Sequence, residues 1–494
     1  MGDIENRLRQ AGPVLTLAAC LAWAAASTAL AAGPRLADGF SFAAGGDLLG
    51  PYQPLGHAPD AALQAVAKHF RDADLGYANV EGSIFDPSTF KGWPAAETGG
   101  GYPLAPAAVA QDLRGLGITV VSKANNHATD YGTEGLVATL GSLGKAGVAQ
   151  AGAGLDLAKA RAPVYLATRN GIAALVSAAS TFTPMSVAGQ ERRYGRYLDR
   201  GRPGISALHV LQVHLLPQRQ LDILRSALAG LHVSSPEQAW SGELGSTVIG
   251  ETAGPELGFG GVVFRAAPER ALGWEMDPDD LHAVLDSIGQ ARRKAGFVLF
   301  SLHAHEVTPM THPAGDDRPD PPADFETSLF HQAIDAGADA VVRSGPHELG
   351  GIEIYQGRPV FYGLGSLFFQ FGGIRSYQVP GGDLVKFPDA WFQAIVPVTR
   401  YEHGRASEIR LYPVVTESSR SGTDGRPRPA DAATGKEILE RVSALSAPYG
   451  TRIAIVGGVG IIDLAGTSRV TPTARTRLDR PPQAAAPRKA TPTQ

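Results

Sequence analysis

The residues best able to do chemistry stand where short apolar runs end. Asp47 follows Phe40 to Ala44, and Asn79 and Glu81 close the stretch that begins at Asp74. Asn126 and His127 come shortly after Val120-Val121; His303, with His305 and Glu306 behind it, follows Phe300-Ser301-Leu302; His347 follows the run from Val341 to Pro346. Carboxylate, amide oxygen and imidazole together suit Mn, Fe or Zn better than an all-oxygen calcium site. A divalent cation makes water a nucleophile near neutral pH, and an imidazole that titrates there can hand a proton to a leaving group. Each position alone is a weak signal, since a lone loop histidine is usually solvated. Their joint order along the chain carries the argument.

Such a site needs elements that bring five loops to one rim. Short β-branched runs alternate with amphipathic stretches. Strands are expected at Phe40 to Ala44, Ile118 to Val121, Phe297 to Leu302, Asp339 to Val342 and Pro359 to Tyr362. Helices are expected at Ala61 to Phe70 with Asp60 as N-cap, Thr133 to Ala146 with Gly147 as C-cap, Asp277 to Ala295, and Glu326 to Ala336. Phe392 to Val398 and Ser407 to Val414 read as a hairpin, Lys436 to Leu445 as a helix, and Arg452 to Val456 as the last strand. This is an α/β chain with helices covering the sheets, and in open α/β sheets ligands gather beyond the carboxyl ends of the strands.

Residues 191–260 are the least regular part and read as an insertion into a domain spanning 38–465. The arginines at 192, 193, 196, 200 and 202 fit a solvated loop better than a rim for an anionic substrate. The tail, 466–494, is rich in Pro, Arg, Thr and Ala and reads as disordered. Residues 1–32 have a basic start (Arg7, Arg9), an apolar run from Val14 to Ala26, and Ala29-Leu30-Ala31, the pattern of a signal peptide. The alternatives are a retained N-terminal anchor or lipidation at Cys20. Either way the protein is expected in the periplasm or at the outer face of the cell membrane. With 44 basic and 48 acidic residues, a broad electrostatic footprint for nucleic acid is excluded. The single cysteine excludes a disulfide framework and a Cys-based zinc site.

The motifs, taken in order, resemble the CapA family of poly-γ-glutamate and capsule synthesis proteins. The matching segments are Gly45-Gly46-Asp47-Leu48-Leu49-Gly50, Asp74 to Glu81, Ala124 to Gly132 with Glu134-Gly135-Leu136, Ser301-Leu302-His303 with Glu306, Asp335 to Asp339, Gly345 to Leu349, Gly351 to Tyr355 and Pro359 to Leu367. The resemblance implies a calcineurin-like metallophosphatase fold, a four-layer αββα sandwich, with a C-terminal hairpin-helix-strand extension. It implies that Asp47, Glu81 and His347 hold one metal position, and that Glu81, Asn126 and His303 serve a second, with Glu81 bridging. His127 becomes the general acid. Asp130 either orients His127 or caps a turn. Asn79, Arg343 and Glu348 are candidates for substrate contact.

The chain departs from the family pattern at three places. Ser344 stands where a histidine is usual, Arg343 where glycine is usual, and His305 where glycine is frequent. His305 is therefore a candidate compensating ligand, the alternative being a solvent-facing loop histidine. Leu49 stands where ordinary metallophosphatases have the histidine of Asp-x-His. The implied function is an exported metal-dependent hydrolase or transferase using one or two Mn, Fe or Zn ions. Its substrate would be an anionic capsule polymer such as poly-γ-glutamate, or the polymer's anchor. The alternatives are a non-catalytic polymer-binding member of a capsule synthesis and export complex, partnered with its membrane proteins, and a periplasmic phosphodiesterase.

Overall fold

The computed structural model describes residues 34–50, 55, 60–96, 103–229, 262–307, 321–370, 384–417 and 425–464, with short strands at 232–233, 247–248, 256–259 and 376–378. The expected signal peptide, Cys20 and the tail at 466–494 lie outside the described residues.

The first half alternates β1 (Phe40–Leu49), α1 (Ala61–Asp72), β2 (Leu75–Glu81), α2 (Ala108–Gly115), β3 (Val120–Ser122), α3 (Gly132–Lys145) and β4 (Ala149–Ala151), with the four strands parallel. A second run comprises β5 (Val164–Thr168), β6 (Gly171–Ala179), α4 (Pro278–Lys294), β7 (Phe297–His303), α5 (Asp324–Asp335), β8 (Ala340–Ser344), β9 (Ile352–Tyr355) and β10 (Arg358–Phe361). It forms a six-stranded sheet in the order β9-β10-β8-β7-β6-β5. The chain then returns to the first sheet with β11 (Ser366–Phe369), β12 (Gln393–Glu402), β13 (Arg405–Glu417), α6 (Ala432–Ser446), β14 (Ala454–Val456) and β15 (Val459–Asp463). That sheet has ten strands. Its main path is β14-β15-β13-β12-β1-β2-β3-β4, with β11 beside β1 and Arg426–Pro429 beside β13.

The two sheets face each other across one apolar cluster. Phe40, Phe42, Leu75, Tyr77 and Val120 come from one side, and Leu175, Phe297, Leu299 and Val342 from the other. The Phe42 and Phe297 rings are 5.3 Å apart. A second cluster packs Leu63, Val66 and Phe70 of α1 and Val109 and Leu113 of α2 on the outside of the first sheet. A third packs Val284, Ile288 and Ala291 of α4 and Phe325, Leu329 and Phe330 of α5 on the outside of the second. The i, i+3, i+4, i+7 spacing of Leu63, Val66, Ala67 and Phe70 makes α1 a one-faced helix. Its N-terminus is closed by Asp60, which accepts from the backbone N–H of Ala62 and Leu63. Helix α4 carries Asp279 and Asp280 in its first turn and Arg292, Arg293 and Lys294 in its last, matching the helix dipole at both ends.

Two features differ from the sequence reading. The stretch read as ending at residue 260 continues into a small sheet built from Glu256–Phe259, Val262–Ala266, Val210–Leu216 and Ala271–Met276. A boundary at 260 would cut the hairpin between Glu256–Phe259 and Val262–Ala266. The chain also adds β15 after Val456, turning through Gly457 and Gly458, both at positive φ.

Candidate functional site

Strand parity places the polar groups. Along β2, Tyr77, Asn79 and Glu81 share one face, and Tyr77 lies in the cluster between the sheets. Asn79 and Glu81 therefore continue that inner face beyond the apolar core. Along β7, Leu299, Ser301 and His303 do the same from the opposite sheet, and Ser301 Oγ meets Tyr77 Oη at 2.5 Å. Asp47 sits near the end of β1, past a register shift between Ala44 and Asp47, and pairs with Asn79. The bulge region is tight: a Cβ on Gly46 would lie 1.7 Å from the Gly365 carbonyl oxygen, so only glycine fits there. His347 follows β8 on a turn held at φ 57°, a left-handed conformation rare for a non-glycine residue and often kept for function.

These elements converge on Glu81. Its carboxylate is fully buried, and neither oxygen has a hydrogen-bond partner. Oε1 lies 3.9 Å from Nε2 of both His127 and His303, and Oε2 lies 3.9 Å from Nδ1 of His347. Burial, reinforced by the nearby negative charge of Asp47, pushes the Glu81 carboxyl well above its ordinary value. For Asp47, burial alone would raise the carboxyl. The hydrogen bond and charge of His347, the charge of His303 and the Asn79 amide hold it below the usual carboxylate range. Asp47 Oδ1 accepts from Asn79 Nδ2 at 2.7 Å and Oδ2 from Gly345 N at 3.1 Å. His347 Nδ1 is 3.5 Å from Asp47 Oδ2 and 3.2 Å from Ser366 Oγ.

His303 is fully buried, and burial pushes its ring well below the ordinary histidine value, which leaves it neutral as a ligand must be. Its Nε2 lies 3.0 Å from Asn126 Oδ1. Its Nδ1 lies 3.2 Å from Ser344 Oγ and 3.3 Å from Asn79 Nδ2. His127 Nδ1 is 2.8 Å from Asp130 Oδ2, and burial lowers its value against the pull of Asp130.

Among the described residues, two triads can each offer atoms within 4.8 Å of one another: Asp47, Glu81 and His347, and Glu81, His303 and His305. A buried carboxylate with no hydrogen-bond partner, shared by two sets of nitrogen and oxygen donors, is an arrangement that could hold a metal ion. The structure thus brings together Asp47, Glu81, Asn126, His127, Asp130, His303, His305 and His347.

Three further positions named from the sequence have their side chains engaged by other residues of the protein. Asn79 is fully buried within the cluster, donating to Asp47 and accepting from Asn125. Arg343 is fully buried on the opposite face of β8 from Val342, where it pairs with Glu326 of α5 at 2.9 Å. It does not reach the cleft. Glu348 is half-buried, and its carboxylate acts on Arg441 of α6.

Two residues escaped the sequence reading. Asn125 donates through Nδ2 to Val80 O at 2.8 Å and to Asn79 Oδ1 at 3.2 Å. Lys123 is fully buried and donates to Val80 O at 3.3 Å; burial pushes its ammonium down to about 8. Both lie in the stretch that ends in Asn126-His127, where neighbouring polar residues look alike without a register.

The alternating sheets and the ligand cluster at their rim define a candidate metal-binding α/β protein. Residues 35–370 match the family described as bacterial capsule synthesis protein PGA_cap, and the chain belongs to that family. It is 32% identical over 460 residues to a Sinorhizobium fredii protein named uncharacterized protein y4sH, covering 87% of this chain and 94% of that one. It is 24% identical over 318 residues to the PGA biosynthesis protein CapA of Bacillus subtilis, covering 64% of this chain and 59% of that one. A probable polyglutamine synthesis accessory protein of Mycobacterium tuberculosis matches at 24% over 262 residues, covering 52% of this chain and 47% of that one.

Proposed function

We propose that this protein is an exported metal-dependent hydrolase or transferase of capsule biosynthesis, acting on an anionic polymer such as poly-γ-glutamate or on the bond that anchors it. The observation that carries the reading is Glu81, a buried carboxylate with neither oxygen hydrogen-bonded and three imidazoles at 3.9 Å. Leaving such a group uncompensated is costly, and a cation is the partner that this donor set accepts. Asp47, Glu81 and His347 would hold one ion; Asn126 and His303 would join Glu81 around a second. The layering of two facing sheets between outer helices supports a metallophosphatase-type sandwich.

A bound Mn, Fe or Zn would supply Lewis acidity and a nucleophile at neutral pH. The chain's own groups do the rest. Asn79 and Gly345 N fix the Asp47 carboxylate, and Asp130 fixes His127 with Nε2 turned toward the cluster. His127 would deliver a proton to the departing group.

The test is metal content by mass spectrometry on the wild-type protein and on Glu81→Ala and His347→Ala, with poly-γ-glutamate and model phosphoesters assayed alongside. About one or two ions per chain, lost in both variants together with turnover, is the expected result. A wild-type chain that takes up no Mn or Zn on reconstitution overturns catalysis.

A further inference from the structure

We propose that His305 is a ligand of the second cation position and replaces the imidazole that Ser344 cannot supply; this rests on the metal-centre reading above. In the register of β7 and β8, His303 pairs with Ser344. Ser344 faces inward, because it shares parity with Ala340 and Val342 of the core between the sheets. Its short hydroxyl is 3.2 Å from His303 Nδ1, the nitrogen on the far side of the ring from Asn126 and Glu81. A serine there can support His303, but it adds no strong donor to the cluster.

His305 does reach the cluster. Two residues beyond His303, its ring centre lies 5.0 Å from that of His303 and 6.0 Å from that of His347. With Glu81 and His303 it offers atoms that all lie within 4.8 Å of one another. Glu81, His303 and His305 would together hold the ion there.

The turn carrying His305 is held on several sides. His305 N donates to Thr181 Oγ1 at 2.8 Å. The Glu306 carboxylate accepts from Ser180 Oγ at 2.7 Å and Thr181 Oγ1 at 2.9 Å. From the helical side, Arg343 Nη2 donates to Glu306 O at 3.0 Å while its guanidinium pairs with Glu326. Gly345 lets the turn lie flush, since a Cβ there would come within 2.7 Å of Ala304 O and 3.2 Å of the His305 ring. The three departures at 305, 343 and 344 thus form one unit. Ser344 leaves the donor position open, His305 fills it from the neighbouring loop, and Arg343 is the positioning residue that holds that loop.

The experiment titrates Mn²⁺, and separately Zn²⁺, into the full chain by calorimetry, with metal content as a second readout. Wild type is expected to bind about two ions, His305→Ala and His305→Gln about one, and the double variant His305→Gly, Ser344→His about two again. Replacing the buried pair by apolar volume, Arg343→Met with Glu326→Leu, weakens the second ion roughly tenfold and leaves the first unchanged. Circular dichroism confirms that each variant is folded. If His305→Ala and His305→Gln bind as many ions as wild type, the proposal is overturned while the metal-centre reading stands. If wild type binds none, both fall. An unchanged second affinity in the Arg343, Glu326 double variant removes the positioning role alone.

Discussion

The Asp130 carboxylate lies 2.8 Å from Nδ1 of His127, and the other ring nitrogen faces Glu81 at 3.9 Å. A carboxylate on one nitrogen fixes the tautomer and the direction of the other, which is how a proton donor is aimed. Asp130→Asn is expected to lower turnover roughly 10- to 100-fold, part of the 10²–10⁴ that a positioned acid contributes, with metal content unchanged. Loss of metal and turnover together would make Asp130 a structural support of the centre.

Burying the Glu81 carboxyl has a measurable cost without a cation. In chelator, Glu81→Gln should be more stable than wild type by about 1–3 kcal/mol, because a buried carboxylate lacking hydrogen bonds is relieved. Adding Mn²⁺ should raise the melting temperature of wild type and leave that of the variant in place. Thermal scans with and without chelator read both effects, and a variant that melts lower in chelator would contradict the account.

Asp280 gives a pH-dependent contribution away from the centre. Its Oδ2 accepts from His209 N at 3.0 Å and meets His209 Nδ1 at 2.6 Å, and Oδ1 pairs with Arg161. Burial alone would raise this carboxyl; His209 and Arg161 hold it below its ordinary value. A depressed carboxyl stabilises the fold above its unfolded value, near 4, and the contribution fades as pH falls through the folded value. Asp280→Asn should cost about 1–3 kcal/mol at pH 7 and progressively less below about pH 4. Urea denaturation at pH 7 and pH 3 separates this from a penalty that does not change with pH.

Two glycines should respond in opposite directions. Gly46→Ala drives a Cβ into the Gly365 carbonyl and should cost at least about 3 kcal/mol or abolish soluble expression. Gly115→Ala, at the end of α2 with no atom beyond its chain neighbours and its own helix backbone within 4 Å of the added carbon, should stabilise by about 0.5–1 kcal/mol. Urea midpoints compare the two, and equal effects would show that the close approach at Gly46 is not rigid.

Much of the fold was legible because its signals are local. The Asp60 cap, the apolar face of α1 and the apolar run of β7 from Phe297 to Phe300 announce themselves within a few residues. What stayed hidden depends on pairing between distant segments. The direction of Arg343 follows from strand parity once Val342 is known to face the inner core, but the sequence does not say which face is inner. Asn125 and Asn126 are adjacent and of one type; only the register of β2 and β3 sends the first to Asn79 and the second to His303. The small sheet between Val210 and Met276 was missed although Val210 to Leu216 is rich in β-branched and aliphatic residues, because its partners lie some fifty residues on. The Gly457-Gly458 hairpin was a readable signal that the sequence reading passed over.

Neither ligand triad lies on one sheet. Asp47 and Glu81 come from the first sheet, and His303, His305 and His347 from strands or loops of the second. A nascent chain therefore has only part of either triad before the two sheets meet. On the metal-centre reading, loading would wait until the two sheets have docked in their final register. If the chain is exported as proposed, the ion would be decided by the compartment in which folding finishes, and not by the one in which the chain is made.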